Sequence, residues 1–484
     1  MAPRPRVAVI GSGISGLAAA YHLRDLASVT LFEAGGYFGG HTHTVDVTLP
    51  AANGLPVTHG VDTGFLVFNE RTYPNLIALF AELAVDSAES SMSFSVQVPH
   101  GHGPGRSLEW SGADLNTVFA QRSNLLRPRF WRMLRDLLRF NRLATQLALA
   151  GQEQALREPL GDFLRRHGFG DEFRDWYFLP MIGCIWSCPT DQMLAFPVST
   201  MIRFCHNHGL IQVNRRPKWR TVRGGARHYV EKILPHIAQK KLRTPVLAIE
   251  RSGNGVHVCT ALREDRFDEV VVATHSDQAL ALLSDASQTE REVLGAIRYQ
   301  PNRALLHTDA SVLPQRRSAW AAWNYERAAD SGREAARVCL HYLINKLQPL
   351  PWKQPVVVSL NPTRAIAQQH VLGEYEYSHP VFDLAALQAQ ARMPELQGER
   401  RTWYCGAWMG YGFHEDGLKA GMAVASALRQ RRGRGGAAGA AAGVAAAAMH
   451  LASHPASHPA LPTAPGAAPV HANEGPDGTL RTAS

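Results

Sequence analysis

Six residues near the start of the chain have the types and spacing needed to hold a phosphate-linked ligand. Gly11-Ser12-Gly13-Ile14-Ser15-Gly16 matches G-x-G-x-x-G, and Glu33 follows closely. In this pattern Gly11 allows a tight turn, Gly13 lets the backbone approach a pyrophosphate, and Gly16 permits close helix packing. The Glu33 carboxylate accepts hydrogen bonds from a ribose diol and repels a 2′-phosphate. The pattern predicts dinucleotide binding, with contacts from Gly11, Gly13, Ser15, Gly16 and Glu33.

The elements around these residues are the ones that dinucleotide binding requires. Residues 6–10 are a short apolar run rich in β-branched side chains, typical of a buried parallel strand. Apolar residues from Ile14 onwards recur at helical spacing, so a helix is predicted to begin inside the glycine loop. Residues 28–32 form a second such run that ends at Glu33. The order of these segments predicts a Rossmann-like unit with phosphates at the positive end of the helix.

Two further glycine-containing segments extend the predicted ligand site. Gly39-Gly40-His41-Thr42-His43-Thr44 follows the acid, although an NAD site does not require a glycine-rich loop there. The loop therefore indicates a longer ligand whose far half folds back past it. Val61-Asp62-Thr63-Gly64-Phe65 adds a glycine that permits close approach of the backbone to a flat ring.

These segments resemble the superfamily of flavin-containing amine oxidases, phytoene desaturases and protoporphyrinogen oxidases. Residues 410–417, together with Asn361-Pro362 and residues 379–383, resemble a bacterial branch of predicted NAD/FAD-binding proteins. Members continue from strand–GxGxxG–helix–strand–Glu into G-G-R-x-x-T and then D-x-G. Here His41 stands where the superfamily usually has an arginine that helps hold the diphosphate. A neutral imidazole donates one hydrogen bond, less strongly than a guanidinium. The resemblance covers about residues 5–430 and implies FAD as the cofactor.

The resemblance also implies a role for the C-terminal block. A strand ending at Gly406 is followed by a glycine-rich turn and a helix from about Phe413 to Leu428. In the superfamily the start of this helix points at the flavin pyrimidine ring, where backbone N–H groups stabilise negative charge. Ala407 replaces the usual acid and so removes a hydrogen bond to the ribityl chain. The additional cofactor contacts implied by the resemblance are Ala34, Gly40, His41, Thr42, Gly64, Phe65, Val246, Ala273, Gly406, Phe413 and the N–H of His414.

The predicted fold class is α/β, with a Rossmann-like FAD-binding domain of the GR2 type and an inserted α+β substrate domain. Two insertions that return to one nucleotide-binding domain predict a two-lobed molecule with the substrate pocket between the lobes. The C-terminal segment lacks aromatic residues and is predicted to be a disordered tail. The predicted boundaries are 5–72, 218–300 and 396–428 for the FAD-binding domain, 73–217 and 301–395 for the substrate or cap domain, and 429–484 for the tail.

Two stretches of the first insertion have alternative interpretations. Residues 176–208, rich in aromatic residues, Met, Cys and His, fit an apolar substrate cavity and a helical core equally well. Residues 128–149 predict an amphipathic helix with Pro128 at its first position. Its arginines recur at spacings of three and four, which favours a solvated face. Contact with an anionic membrane surface is the alternative.

The motifs indicate a reaction in which a flavin accepts electrons. One dinucleotide motif is present, so electrons are expected to pass from substrate to flavin and then to oxygen, a quinone or another acceptor. The predicted function is FAD-dependent oxidation, by desaturation, of a small hydrophobic or amphiphilic substrate such as a lipid or isoprenoid. His208, Tyr411 and His414 are the candidate proton acceptors. The alternatives are a flavin amine oxidase with a cage of Trp408 and Tyr411, a redox-neutral double-bond isomerase, and a binding protein without turnover.

Composition excludes several other classes of protein. The 484-residue chain has a formal net charge of +9 but no zinc-finger spacing and no RNP-like motif, so nucleic acid is not an expected partner. Six cysteines in so long a chain do not predict disulfides, and His206-x-His208 lacks a third metal ligand nearby. No apolar run is long enough to span a membrane. The first strand begins too close to Met1 for a signal peptide, which predicts a cytoplasmic protein, with the inner membrane face as a peripheral site.

Overall fold

A computed structural model describes residues 4–433, apart from 102, 104–105, 153–155, 157, 187–188, 213–215 and 329–337. In these residues the α-helices are α1 (Ile14–Leu23), α2 (Pro74–Glu82), α3 (Leu115–Val118), α4 (Pro128–Leu149), α5 (Leu160–Arg166), α6 (Asp171–Phe173), α7 (Leu179–Trp186), α8 (Thr190–Leu194), α9 (Val198–Asn207), α10 (Arg227–Ile233), α11 (Ser276–Leu282), α12 (Gln288–Gly295), α13 (Ile344–Leu347), α14 (Leu384–Arg392) and α15 (His414–Gly433). A π-helical segment, Arg174–Phe178, leads into α7.

The strands of the same residues are β1 (Arg6–Ile10), β2 (Ser28–Phe32), β3 (Thr44–Pro50), β4 (Pro56–Asp62), β5 (Phe68–Asn69), β6 (Ser87–Ser90), β7 (Phe94–Val98), β8 (Leu108–Ser111), β9 (Trp219–Val222), β10 (Gln239–Lys241), β11 (Val246–Ser252), β12 (Gly255–Thr260), β13 (Glu264–Phe267), β14 (Glu269–Val272), β15 (Tyr299–His307), β16 (Trp323–Glu326), β17 (Cys339–Leu343), β18 (Val357–Leu360), β19 (Val371–Pro380) and β20 (Thr402–Tyr404).

A five-stranded parallel sheet in the order β10-β2-β1-β14-β20 forms the first layer. The chain leaves β1 through α1 to β2 on one side and returns to β14 on the other side of β1. Ligands of such sheets bind where the strand order reverses, at the carboxyl end of the strands. Val7 and Val9 pack into the core on the α1 side, whereas Ala8 and Ile10 pack into the core on the opposite side. Burial of both faces explains why β1 is continuously apolar.

A seven-stranded mixed sheet forms the second layer, in the order β19-β15-β18-β17-β16-β7-β8. Its strands lie within residues 94–111 and 299–380, and the apolar faces of α4, α5, α7 and α9 pack into the same core. Three smaller antiparallel sheets are present in the described residues, β11-β12-β13, β3-β4 and β5-β9-β6.

The structure confirms the α/β fold class and several predicted elements. The predicted strands at 6–10 and 28–32 and the predicted helix at 128–149 have the predicted bounds, with Pro128 in the first turn of α4. The C-terminal helix, however, continues to Gly433, so the first five residues of the predicted tail are helical. The rest of that tail lies outside the described residues, and the division into two domains stays a prediction. No helix in the described part of the chain is long and apolar enough to cross a membrane.

Close packing of α1 against α15 positions the glycine loop relative to the C-terminal block. A side chain at Gly421 of α15 would collide with the carbonyl oxygen of Ser15 and lie 2.8 Å from Cβ of Ala18. The two helices therefore approach backbone to backbone at this point, and the crossing tolerates no methyl group.

The first prediction is that Gly421→Ala lowers the midpoint of thermal unfolding by several degrees. Overpacking of a tight contact costs about 1–3 kcal/mol. The matched control is Gly253→Ala in the β11–β12 turn, where no heavy atom lies within 4 Å of the added methyl group. Differential scanning calorimetry measures both variants. Equal midpoints for the two variants would contradict the role of the crossing.

Candidate active site

A cavity of about 710 Å³ lies at the carboxyl end of β1. This volume is in the range of cofactor and substrate sites. Segments that are far apart in sequence meet in it: the glycine loop, the start of β11, the end of β14, and the turn before α15. The predicted contacts that line the cavity are Gly11, Gly13, Ser15, Glu33, Ala34, Gly40, His41, Gly64, Phe65, Val246, Ala273, Gly406, Phe413 and His414.

The glycine loop shows why three of its positions carry no side chain. Gly11 has a φ of +98°, and a Cβ there would lie 2.7 Å from the carbonyl oxygen of Ala273. A Cβ at Gly16 would collide with the carbonyl oxygen of Gly11, so Gly16 brings α1 against β1 and lies behind the cavity. At Gly13, by contrast, no heavy atom lies within 4 Å of the position that a Cβ would take. That open space faces the first turn of α1, whose backbone N–H groups have no acceptor within the helix.

Glu33 is fixed at the end of β2 by the backbone of the loops on either side of it. Oε2 of Glu33 accepts hydrogen bonds from the backbone N–H of Ser12, at 3.1 Å, and from the Ser12 hydroxyl. Oε1 of Glu33 accepts the backbone N–H of Gly35 at 2.7 Å. The Ser12 hydroxyl in turn accepts the N–H of Gly39 at 3.1 Å. A carboxylate has about four acceptor positions, so Glu33 keeps capacity for a ribose hydroxyl.

The start of α15 is anchored by its own acidic residues. Asp416 accepts the N–H of Tyr411 at 3.1 Å and the N–H of Phe413 at 3.0 Å. Glu415 accepts the N–H groups of Asn75 at 3.1 Å and Leu76 at 3.0 Å, at the start of α2. These bonds fix the direction in which the positive end of α15 points.

His414, the first residue of α15, has its ring stacked on Phe65 with centroids 3.7 Å apart. Its Nε2 lies 2.9 Å from Oγ1 of Thr42 and 3.2 Å from the hydroxyl of Tyr229. Burial lowers the pKa of His414 to about 3, so the imidazole is neutral near pH 7. Thr42, predicted to touch the cofactor, is buried and is not among the lining residues, and the hydrogen bond of its hydroxyl helps to position His414.

The three candidate proton acceptors are placed differently. His208 lines the cavity, and its Nδ1 lies 3.0 Å from the carbonyl oxygen of Phe204. Because a carbonyl only accepts, Nδ1 carries the proton and Nε2 keeps its lone pair. Burial lowers the pKa of His208 to about 4. Tyr411 is not among the residues that line the cavity, but its ring lies 5.8 Å from that of Phe204, which does line it, and its carbonyl accepts from Nε1 of Trp186 at 3.2 Å. Its role as a proton acceptor stays a prediction.

The aromatic stretch 176–208 divides between the two interpretations that the sequence left open. Ile185, Phe204 and His208 line the cavity. Most other large side chains of the stretch, including Phe178 and Ile182, are buried in the core of the second layer. Helical periodicity alone does not separate the two roles, because Phe204 lines the cavity while Met201 and Cys205, on the same buried face of α9, pack into the core.

One group of side chains among the described residues has the donor atoms of a metal site, but it lies outside the cavity. Glu326, Cys339 and His341 come within 4.8 Å of one another in the seven-stranded sheet. His341 Nε2 lies 3.0 Å from the Glu326 carboxylate, which also pairs with the Arg364 guanidinium at 3.4 Å. The Cys339 and Glu326 partners raise the pKa of His341 to about 9 despite burial, so an ion pair accounts for the group.

Comparison with known proteins identifies the family of this chain. The model of the flavin-containing amine oxidoreductases matches residues 14–307, which is more than half of the chain. The chain belongs to the flavin-containing amine oxidoreductase family. It is an FAD-dependent oxidoreductase. No curated protein matches the sequence significantly.

Solved structures share this fold at low sequence identity. A CLA-producing fatty acid isomerase from P. acnes has a TM-score of 0.62 at 16% identity, covering 87% of this chain and 98% of the other. Cyclohexylamine oxidase from Brevibacterium oxydans IH-35A has a TM-score of 0.62 at 18% identity, covering 89% and 100%. A putrescine oxidase bound to putrescine has a TM-score of 0.60 at 14% identity, covering 88% and 99%. Identities this low show a shared fold and do not select a substrate.

The residues of this flavoenzyme fit FAD at its diphosphate. The space beside Gly13 admits a phosphate group, and the Cβ position of Gly40 lies 3.0 Å from Cα of Gly13, which brings His41 beside the phosphate loop. Nε2 of His41 is buried and has no hydrogen-bond partner among the described residues. A buried nitrogen without a partner costs free energy unless a ligand satisfies it.

Two histidines that the sequence did not indicate share the cavity with His41. The ring of His379 lies 5.6 Å from that of His41, and the ring of His275 lies 6.4 Å from it. Burial is the largest cause that holds the pKa of His41 well below its ordinary value, and the neighbouring histidines add to it. Burial lowers the pKa of His379 to about 4 and also lowers that of His275. A bound diphosphate would favour the protonated form of these rings.

The second prediction is that Gly13→Ala lowers the affinity for FAD at least about tenfold, or 1.4 kcal/mol, without lowering the thermal stability of the apoprotein. The methyl group meets open space in the protein but occupies the volume of the diphosphate. Quenching of flavin fluorescence measures the affinity. Gly112→Ala, whose methyl group makes an ordinary contact of 3.7 Å with Trp110, is the control. Unchanged affinity in Gly13→Ala would refute the assignment.

The third prediction is that the affinity of the apoprotein for FAD falls as pH rises between about 5 and 8. The diphosphate raises the pKa of His41 in the complex above the low value in the apoprotein, so protons are taken up on binding. The affinity for FAD is then highest at a pH below the pKa of His41 in the apoprotein. It falls as the pH rises towards the pKa of His41 in the complex, by at most about tenfold per pH unit for each proton taken up. His41→Arg, which is charged throughout, should flatten this slope. His43→Ala is the control that should keep it, and a wild-type slope in His41→Ala would contradict the account.

Proposed function

We propose that this enzyme desaturates an apolar or amphiphilic substrate, a lipid or isoprenoid chain, by hydride transfer to FAD. The observation that carries the proposal is the lining of the cavity beyond the nucleotide. Apolar and aromatic side chains dominate it, among them Leu66, Val67, Met92, Ile185, Phe204, Leu210, Trp219 and Trp323. Burial of a hydrocarbon chain against such walls is favourable in proportion to the apolar area removed from water.

The distribution of charge supports a hydrocarbon over an amine. Among the described residues that line the cavity, Glu33 is the one carboxylate, and Ser12 and Gly35 hold it at the ribose end. No lysine or arginine is among these lining residues. Because Glu33 is held at the ribose end, a buried ammonium group elsewhere in the cavity would lack a counter-charge, which is costly.

The aromatic cage expected of an amine oxidase also lacks one of its two candidate walls. Trp408 lines the cavity and donates its Nε1–H to the carbonyl oxygen of Thr274 at 3.0 Å. Tyr411 is not among the lining residues, and its ring packs beside Phe204, which is. The lining therefore supports an aromatic cage less directly than it supports an apolar slot.

When bound, FAD would supply the hydride acceptor. The protein would position the substrate, exclude water from the cavity and supply a proton acceptor. Removal of two hydrogens from a carbon–carbon bond releases one hydride and one proton. The lone pair on Nε2 of His208 can take that proton, because Nδ1–H is already committed to Phe204. The positive end of α15 would stabilise negative charge on the reduced cofactor. The electrons then leave to oxygen, a quinone or another acceptor.

The fourth prediction concerns anaerobic mixing of the holoenzyme with unsaturated fatty acids, phospholipids, isoprenoids, cyclohexylamine and putrescine. A lipid or isoprenoid should bleach the flavin absorbance, and the amines should not. His208→Gln should slow bleaching by about 10²–10⁴-fold, the range for a lost acid–base group. His206→Gln, whose side chain lies outside the cavity lining, should react at the wild-type rate.

Two outcomes would overturn the proposal. Bleaching by amines alone would make the enzyme an amine oxidase. Conversion of a lipid into an isomer without net bleaching would make it a redox-neutral isomerase. Re-admission of air distinguishes the acceptor, because release of hydrogen peroxide marks oxygen and its absence favours a quinone or carrier.

A further inference from the structure

Helix α4 exposes a stripe of large apolar side chains to solvent. Leu138 lies seven residues after Trp131, which is close to two full helical turns. Leu149 lies eighteen residues after Trp131, which is close to five turns. The three residues therefore lie on one face, and they are 49%, 56% and 74% exposed in chain order. The opposite face of α4 is buried in the core through Phe130 and Phe140.

The segment before α4 enlarges the same surface. Nε1–H of Trp131 donates to the carbonyl oxygen of Leu125 at 2.9 Å, which holds the preceding turn against the start of the helix. Leu125 and Leu126 on that turn are 45% and 88% exposed. Six of the thirteen large apolar side chains that are exposed in the described residues fall between 115 and 149. Single exposed leucines are ordinary, but a contiguous group marks an interaction site.

The charge of this surface is positive. Residues 115–150 contain seven arginines and one acidic residue, Asp136, which is buried. Arg135 and Arg142 follow Trp131 by four and eleven residues and are exposed among the apolar side chains of the stripe. Arg129 and Arg132, to one side, pair with the Glu172 carboxylate. The stripe thus alternates leucine or tryptophan with arginine.

We propose that this surface, formed by Leu125, Leu126, Trp131, Arg135, Leu138, Arg142 and Leu149, docks on the headgroup region of an anionic phospholipid bilayer. A helix with arginines beside tryptophan and leucines lies in the membrane interface with its apolar side chains inserted. Anionic headgroups attract the arginines, and high salt screens this attraction. A nucleic acid would match the charge but would leave the protruding leucines in water.

The position of the surface connects it to the cavity. α4 packs directly on α9, the helix that carries Phe204 and ends at His208. Both of these side chains line the cavity. Docking through α4 would thus hold one wall of the cavity close to the membrane, where an amphiphilic substrate is concentrated. The docking itself rests on the α4 surface alone and not on the proposed reaction.

The fifth prediction tests this docking by flotation of the FAD-loaded enzyme with vesicles. The wild-type enzyme should float with vesicles of phosphatidylcholine and phosphatidylglycerol, detach at high salt, and float poorly with phosphatidylcholine alone. Two double variants should each reduce the bound fraction at least tenfold. Leu126→Glu/Leu138→Glu removes apolar side chains of the surface, and Arg135→Glu/Arg142→Glu reverses its charge. Leu55→Glu/Leu262→Glu alters two leucines that are 63% and 90% exposed on other loops, and it should bind as the wild type does. An unchanged flavin spectrum shows that each variant is folded.

Absence of wild-type binding to anionic vesicles, or equal binding by all variants, would overturn the proposal. A wild-type dimer in sedimentation that dissociates on Leu126→Glu/Leu138→Glu would show instead that the surface joins two copies of the chain. Failed flotation combined with flavin bleaching by free lipids would refute the docking and leave the proposed reaction standing.

Discussion

Close approach of three backbone segments beside β1 is the constraint on which the rest of the structure depends. The glycine loop packs against Ala273 at the end of β14, and α1 packs against α15 at Gly421. The two contacts fix the first turn of α1 and the first turn of α15 in the wall of one cavity. Both turns present backbone N–H groups without intrahelical acceptors. The fold thereby supplies positive partial charge at two places in the wall of the cavity.

The remainder of the cavity carries almost no formal charge. Burial keeps the imidazoles of His41, His208, His379 and His414 neutral near pH 7. Neutral histidines can still accept or donate one proton, so the site combines acid–base capacity with an apolar environment. This combination suits hydrogen removal from a hydrocarbon, which requires positioning and the exclusion of water more than strong acids.

The sequence predicted the parts of the site that are formed by residues close together in the chain. The glycine loop with Glu33, and the start of α15 near His414, are encoded by a few neighbouring residues. His275 and His379 had no such signal, because β14 and β19 bring them to His41 only in the folded protein. The contact of the Tyr411 ring with Phe204, at 5.8 Å between centroids, had no signal for a similar reason, because spacing does not specify how a turn orients its side chains.

A crystal structure of the holoenzyme would show directly how FAD lies in the cavity. One FAD molecule per chain is expected, with its adenine near Val246, its diphosphate between Gly13 and His41, and its isoalloxazine ring at the start of α15. Density for the flavin ring outside this cavity, or a diphosphate remote from Gly13, would contradict the claim that three distant segments close around one cofactor.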